Sequence, residues 1–274
     1  MTIATLSHVK ETLGDLHAKK KFGQNFLIDA NIVDKIARKA VEEELTVIEI
    51  GPGLGALSEM LLKYGKRLHA YEIDEDMYEI LKAEFSDEER FSVELGDFLD
   101  VELEKVFYHD EPIYICSNLP YYVTTPILFK LFESRLDIRK ITVMVQKEAA
   151  SRFGAPVGSE DYNALSLIVQ YLYDVKLEMN VSRKVFYPSP NVDSAVISFT
   201  PKVKRDYEYE QGLFSLIKNC FMKRRKTLLN NLKDHYDRET IEKIYAELGL
   251  KDTVRAQELK LEDYKRIYEV MNEK

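Results

Sequence analysis

Cysteine is nearly missing from this chain: Cys116 and Cys220 stand far apart in 274 residues, the first inside an apolar run. That excludes a disulfide framework and a thiolate metal cluster, and it fits a reducing compartment. No uninterrupted apolar run approaches a membrane span, and the N-terminus carries charges with no apolar block, so neither an anchor nor a secretory leader is expected. The expected location is cytoplasmic. Metal-ligand spacing is absent too, because His8, His17, His69, His109 and His235 are scattered, and no metal is expected. Positive charge is scarce: 39 Lys and Arg face 47 Asp and Glu, a net charge of −8. An isoelectric point near 5.4 argues against a protein drawn to nucleic acid by its overall field. No internal repeat or low-complexity tract is evident.

What is present is enough apolar residue, 45% of the chain, to bury a core, in a length that suggests one large domain and one smaller. Residues 1–18 read as a short mobile or helical extension. The stretch from Lys19 to Asp29, with Gly23 and two amides set between aromatics, reads as a loop that folds over something. Asp29 or Asn31 then caps a helix with Ile32, Val33, Ile36, Ala37 and Ala40 inward. Short apolar strands follow at Val47–Ile50, Arg67–Ile73, Phe91–Leu95, Ile113–Cys116 and Ile141–Val145. Helical segments lie between them and a helix runs on from Gln146 through Phe153, which predicts an α/β fold, a mostly parallel sheet covered on both faces. Tyr162–Leu172 reads as a helix, and Val175–Val181 and Ala195–Thr200 as later strands. The prolines of Phe186-Tyr187-Pro188-Ser189-Pro190 rule out regular structure between these two strands. After Asp206 the period is helical, so residues 1–205 and 206–274 are expected to be separate domains, the second all-helical.

The chain is organised around Ser117-Asn118-Leu119-Pro120-Tyr121-Tyr122, where a buried strand breaks into an amide, a proline and two aromatics. Open α/β sheets place their chemistry at this end of a strand. There the Asn118 side-chain oxygen and a main-chain carbonyl of Leu119 or Pro120 can accept both hydrogens of an exocyclic amine, while the Tyr121 ring stacks on the attached base. A proline loop with a core tyrosine accounts equally well for the tetrapeptide taken alone. Its companions decide between them. Gly51-Pro52-Gly53-Leu54-Gly55 lets backbone approach a ligand at a strand-to-helix turn, Glu72 is placed for ribose hydroxyls, and Asp97 for an adenine amine. The spacing is G-x-G-x-G, not the G-x-G-x-x-G of dinucleotide sites, so an adenosyl cofactor without phosphates, S-adenosylmethionine, is favoured over a nicotinamide dinucleotide.

Together, Phe22-Gly23-Gln24-Asn25-Phe26-Leu27, Glu49-Ile50-Gly51-Pro52-Gly53-Leu54-Gly55, Asn118-Leu119-Pro120-Tyr121, Gln146-Lys147-Glu148 and Phe186-x-Pro188-x-Pro190-x-Val192-Asp193-Ser194-Ala195-Val196 resemble the small-subunit ribosomal RNA adenine dimethyltransferases, the KsgA (RsmA) family, over residues 19–270. The resemblance implies a Rossmann-like methyltransferase sheet and a helical C-terminal domain that recognises RNA. It implies that Asn25, Leu27, Gly51, Gly53, Glu72, Asp97 and Asn118 hold S-adenosylmethionine, and that Asn118, Leu119, Pro120, Tyr121 and Phe186 handle the adenine, with Phe186 as a second stacking ring. The implied product is dimethyladenosine at two adjacent positions of small-subunit RNA, made by a monomer that also acts in subunit assembly. Two alternatives stay open: the erythromycin-resistance (Erm) methylases of large-subunit RNA, which tend to read Asn-Ile-Pro-Tyr, and a non-enzymatic assembly factor. The acidic total throws RNA contact onto local patches. From Lys218 to Lys233 six basic residues occur with no acid, and Lys223, Arg224, Arg225 and Lys226, expected on a helix, are the candidate RNA contacts; Lys19-Lys20-Lys21 form a second cluster. A solvated surface run explains such clusters as well.

Overall fold

Strands and helices alternate through the first 150 residues of the computed structural model, which describes residues 2–14, 16, 18–19, 22–106 and 111–273. In order they are α1 (Leu6–Leu13), β1 (Phe26–Leu27), α2 (Ala30–Ala40), β2 (Thr46–Ile50), α3 (Ala56–Tyr64), β3 (Arg67–Glu72), α4 (Glu75–Glu84), β4 (Phe91–Leu95), α5 (Leu103–Val106), β5 (Ile113–Asn118), α6 (Thr124–Glu133), β6 (Ile138–Gln146) and the single turn α7 (Lys147–Ala150). Then come α8 (Ala164–Leu172), β7 (Tyr173–Val181), β8 (Phe186–Tyr187), β9 (Ser194–Pro201), α9 (Tyr207–Phe221), α10 (Leu228–Leu232), α11 (Arg238–Leu248) and α12 (Leu261–Asn272).

Among the described residues seven strands form one sheet, in the order β4-β3-β2-β5-β6-β9-β7. The pairs from β4 to β6 are parallel, and β9 runs antiparallel to β6. The central strands are unbroken apolar runs because both of their faces are covered. On one face Val47, Tyr114, Cys116, Met144 and Val196 pack with Val33, Ile36 and Ala37 of α2 and Leu57 and Leu61 of α3. The alternate residues Ile48, Ile115, Val143 and Ile197 turn to the other face and are equally buried. Strand order reverses between β2 and β5, the switch point at which open α/β sheets leave a crevice beyond the strand ends. The two loops that close β2 and β5 are Gly51–Gly55 and the segment beginning at Asn118.

The N-terminal segment is anchored. Ile3, Ala4, Val9 and Leu13 are buried, the Ile3 N–H donates to Glu59 at 3.1 Å, and Thr5 forms a bridge to Asp29. The stretch after it contains β1, which pairs antiparallel with β8, Phe26 opposite Tyr187 and Leu27 opposite Phe186. The prolines at 188 and 190 therefore end a strand and do not forbid one, since the ladder needs donors only from the two residues before them. The helix expected through Phe153 stops at Ala150. Lys20, Lys21, His17 and His109 lie outside the described residues.

The chain divides into two compact units: Met1–Ala150 with Val175–Pro201, and Ser151–Asp174 with Lys202–Lys274. The expected boundary near 205 falls close to one crossing, but the segment from Ser151 to Asp174 belongs with the C-terminal helices. Its side chains explain why. Tyr171 packs edge-on to Phe214 and Tyr162 to Phe221, and the Tyr162 hydroxyl donates to the Leu259 carbonyl at 3.1 Å. Sequence adjacency to the sheet concealed these contacts. No described helix is long and apolar enough to cross a membrane.

Candidate active site

A cleft opens at the switch point, beyond the ends of β2 and β5. It is walled by the loop after β2, the end of β3, the loop after β5 and the stretch Phe22–Leu27. Asn25, Leu27, Gly51, Gly53, Glu72, Asn118, Leu119, Pro120 and Tyr121 all line it, so most of the expected site residues are brought together. Asp97 and Phe186 are not among its walls.

Glycine is required at two points of the first loop. Gly53 has φ +60° and a Cβ there would come within 3.1 Å of the Phe26 ring; Gly55 has φ +84° and a Cβ would meet Phe85 at 2.6 Å. Side chains at either position would strain the turn or push away its neighbours. Gly55 also caps α3 with no side-chain hydrogen bond, which leaves the first N–H groups of that helix without a side-chain partner.

Two carboxyl groups sit in the cleft. Glu72 accepts from the Gly53 N–H at 3.0 Å and the Asp74 N–H at 2.9 Å, and burial raises its pKa against the pull of those donors. Glu49 is 1% exposed and accepts from the Ser58 hydroxyl at 2.6 Å. Burial pushes its pKa to about 8, with Glu72 adding to the rise and Ser58 opposing it. The sequence reading places Glu49 within a motif and gives it no role; its position at the end of a buried strand, beside the glycine turn, is the signal that marks it. Among the described residues no lysine or arginine lines the cleft. The Glu72 carboxyl suits ribose hydroxyls and a ligand carrying a sulfonium cation, so a phosphate-free adenosyl ligand fits the donor set.

Asn118 ends β5 and donates through Nδ2 to the Asn25 carbonyl at 3.2 Å. A carbonyl can only accept, so this bond fixes which end of the amide is nitrogen and leaves Oδ1 as the free acceptor. Of the two main-chain candidates, the Pro120 carbonyl already accepts from the Thr124 hydroxyl at 3.1 Å and the Val123 N–H at 3.2 Å. No hydrogen bond to the Leu119 carbonyl occurs among the described residues, while the Leu119 N–H is tied to Met144 at 3.3 Å. Leu119 is therefore the better second acceptor. Tyr121 is half-buried, with its hydroxyl 3.0 Å from that of Ser194 at the start of β9. Burial raises its pKa, so it is a neutral phenol at neutral pH.

Asp97 caps a 3-10 turn, accepting from the Leu99 N–H at 2.9 Å. Phe186 is 3% exposed and packs with Leu27 and the apolar cluster under α2. Its backbone reaches the cleft wall by pairing with Leu27, but its ring does not.

The basic residues 223–226 form a turn between α9 and α10, not a helix. Thr227 caps α10 with its side chain accepting from Asn230, which starts a new helix and ends the old one. Lys223 is paired with Asp234, and Arg224 donates to the Glu160 carbonyl. Arg225 and Lys226 are exposed, with no ion pair among the described residues.

Comparison with known proteins gives a consistent picture. The family model described as "Ribosomal RNA adenine dimethylase" matches residues 15–273. A "Ribosomal RNA small subunit methyltransferase A" from Oceanobacillus iheyensis is 39% identical, over 97% of this chain and 95% of that protein. The crystal structure of a dimethyladenosine transferase from Plasmodium falciparum superposes with a TM-score of 0.68 at 26% identity, covering 88% of this chain and 95% of the other. The 23S rRNA methyltransferase ErmE shares the fold at 24% identity and a TM-score of 0.64, over 91% of this chain and all of that one (100%).

Proposed function

The chain belongs to the ribosomal RNA adenine dimethylase family, methyltransferases that use S-adenosylmethionine, and we propose that its substrate is small-subunit ribosomal RNA, dimethylated at two adjacent adenosines. The small subunit is favoured over the large because the 39% identical relative carries that name over nearly full length, while the likeness to ErmE is one of fold. The observation that carries the reading of the site is a glycine-turned, carboxyl-lined cleft opening beside the amide and carbonyl of Asn118 and Leu119.

When bound, S-adenosylmethionine supplies an activated methyl group. Gly51, Gly53, Glu72, Asn25 and Leu27 would hold it, with Glu72 accepting from the ribose. An adenine amine is a poor nucleophile because its lone pair is delocalised into the ring. Accepting its hydrogens at Asn118 Oδ1 and the Leu119 carbonyl draws the nitrogen toward tetrahedral geometry and directs the lone pair into the cleft. No general base is needed, because the alkylated amine is acidic and releases its proton to solvent. A monomethylated amine still has one hydrogen for the clamp, which permits a second transfer. The base must leave its stack to reach Asn118, and Tyr121 replaces part of the lost stacking. Phe186 is the second ring in this reading. Asp97, just beyond the end of β4, is the partner of the cofactor's adenine amine.

One base edge carries little sequence information, so choosing one loop among many needs a second surface. Residues 151–174 and 202–274, with the basic turn 223–226, are the unit we assign to that task, and through it a role in subunit assembly. The same reading places the enzyme as a monomer in the cytoplasm. The test offers unmodified small subunits, large subunits and a free hairpin of the target loop with tritiated methyl donor, and maps products by mass spectrometry. Small subunits are expected to be modified preferentially. Preference for large subunits would reassign the substrate, and equal rates on the hairpin would remove the selective role of the second unit.

A further inference from the structure

The stretch that walls one side of the cleft is tied down at both ends by contacts that the methyl-transfer reading leaves unused. At its start, Lys19 Nζ lies 2.6 Å from Asp74 and 2.5 Å from Asp76. Gln24 joins the same point: its Nε2 donates to Asp74 Oδ2 at 2.7 Å while its Oε1 accepts from the Lys19 N–H at 2.7 Å. Asp74 is 1% exposed and also caps α4, so it is a rigid post. At its end, Phe26 and Leu27 pair with Tyr187 and Phe186, and the Ile28 N–H donates to Val185 at 2.9 Å. Between the two anchors lies Asn25, whose side chain donates to the Gly23 carbonyl at 2.9 Å and whose own carbonyl receives Asn118 Nδ2.

We infer that this strap is a positioning element for Asn118: Lys19 and Gln24, latched to Asp74, hold the Asn25 carbonyl where it turns the Asn118 amide so that Oδ1 faces the substrate amine. The inference rests on the reading of Asn118 as the amine acceptor and adds to it the means by which the side chain is aimed. An amide free to rotate about its last bond presents NH2 to the amine as readily as oxygen, and a donor there repels the hydrogens it must accept. The bond to a main-chain carbonyl removes that choice before substrate arrives, which is preorganisation by an element far along the sequence. A strap that served only to cover the cofactor would need no bond to Asn118. It would be expected to set cofactor affinity and leave the rate at saturation untouched.

The distinction can be measured with Gln24→Ala, Lys19→Ala and Lys19→Arg, by titration with S-adenosylhomocysteine and by single-turnover methylation of small subunits at saturating methyl donor. Gln24→Ala and Lys19→Ala are expected to lower the saturated rate by about tenfold or more, the scale of a small misplacement in a reacting centre. Their dissociation constants for S-adenosylhomocysteine should move by less than about threefold, the pattern of an interaction made only in the transition state. Lys19→Arg keeps the ion pair and should stay close to the parent. Asn118→Asp provides the sharper control, because it keeps an acceptor for the amine but has no hydrogen to give Asn25. In that background Gln24→Ala should have no further effect. Weakened S-adenosylhomocysteine binding with an intact saturated rate overturns the inference and makes the strap a cofactor cover. So does an equal loss from Gln24→Ala with and without Asn118→Asp. Should Gln24→Ala fail to fold, the Lys19 variants carry the same comparison. Parent-like rates in the strap variants beside an inactive Asn118→Ala overturn this inference alone, whereas a fully active Asn118→Ala removes the reading on which it rests.

Discussion

The cleft around Asn118 and the basic turn at residues 223–226 are both conspicuous in the sequence, yet they are built on opposite terms. In the cleft several polar atoms are already committed: Glu72 to Gly53 and Asp74, Pro120 to Thr124 and Val123, Asn118 Nδ2 to Asn25. Asn118 Oδ1 and the Leu119 carbonyl, by contrast, accept no hydrogen bond among the described residues, which is why the proposed clamp uses them. In the basic turn the number of charges says less than their pairing. Lys223 and Arg224 are occupied within their own unit, while Arg225 and Lys226 are exposed and make no ion pair among the described residues. The proposed role of the first region rests on what the backbone holds still, and that of the second on which charges the fold has not already used.

The largest effect should come from the cleft. Asn118→Ala removes one of two oriented acceptors, and deleting one such donor or acceptor costs about 2.7–4 kcal/mol in comparable sites, roughly a hundredfold or more in rate. Thermal unfolding should change little, since the side chain is only half-buried. Single-turnover methylation near the parent rate by a folded Asn118→Ala protein would contradict the clamp.

Glu49 gives the next effect, on stability as a function of pH. Its folded pKa, about 8, lies above the ordinary carboxyl value of 4.5, so the native state binds the proton more tightly than the unfolded chain. The stabilisation this represents is complete below pH 4.5 and is lost as pH rises toward 8. Glu49→Gln keeps an acceptor for Ser58 without the charge. It should flatten that decline and raise stability at pH 8 by on the order of a few kcal/mol in denaturant titrations. An unchanged pH profile would mean that Glu49 is ionised at neutral pH in spite of its burial.

How much of this is legible in the sequence follows from the same contrast. The strands and the glycine turn are readable because apolar runs and positive-φ positions are local properties, and the sequence places β4 at Phe91–Leu95 as it stands. Asn118, Glu72 and Gly51 follow from their place at strand ends. Gln24, Lys19 and Asp74 do not, since a latch between residues 50 or more apart leaves no periodic signal. Phe186 is assigned through the family motif, and the fold turns it inward; Asp97 is read from its place after β4, and the fold sets it as the cap of its own turn. The membership of Ser151–Asp174 in the second unit depends on aromatic contacts with α9, again invisible to a reading that moves along the chain.

The basic turn is sharpened by treating its four residues separately. Removing one phosphate contact should lower the slope of log affinity against log salt by roughly 0.7–0.9, the lower figure for single strands. Arg225→Ala and Lys226→Ala should each take about that much, while Lys223→Ala, already paired with Asp234, should take less. Filter binding to small-subunit particles across a salt series measures this, and four equal slopes would return the run to a solvated surface.

The smallest effect concerns how Tyr121 is held. Its hydroxyl meets Ser194, which is fully buried, so the pair could serve to place the ring or to supply a proton acceptor. Burial raises the phenol pKa, which disfavours the phenolate a base would require and leaves placement as its role. Tyr121→Phe deletes only the hydroxyl, and a single neutral hydrogen bond contributes about 0.5–1.5 kcal/mol. The rate should accordingly fall by no more than about tenfold, with a pH profile of unchanged shape. Tyr121→Ala removes the stacking face as well and should cost more, of the order of 1–3 kcal/mol for a base on an aromatic ring. If Tyr121→Phe were as damaging as Tyr121→Ala and shifted the pH profile, the hydroxyl would take part in the chemistry, and the committed polar atoms of the cleft would have to be divided again into those that hold and those that react.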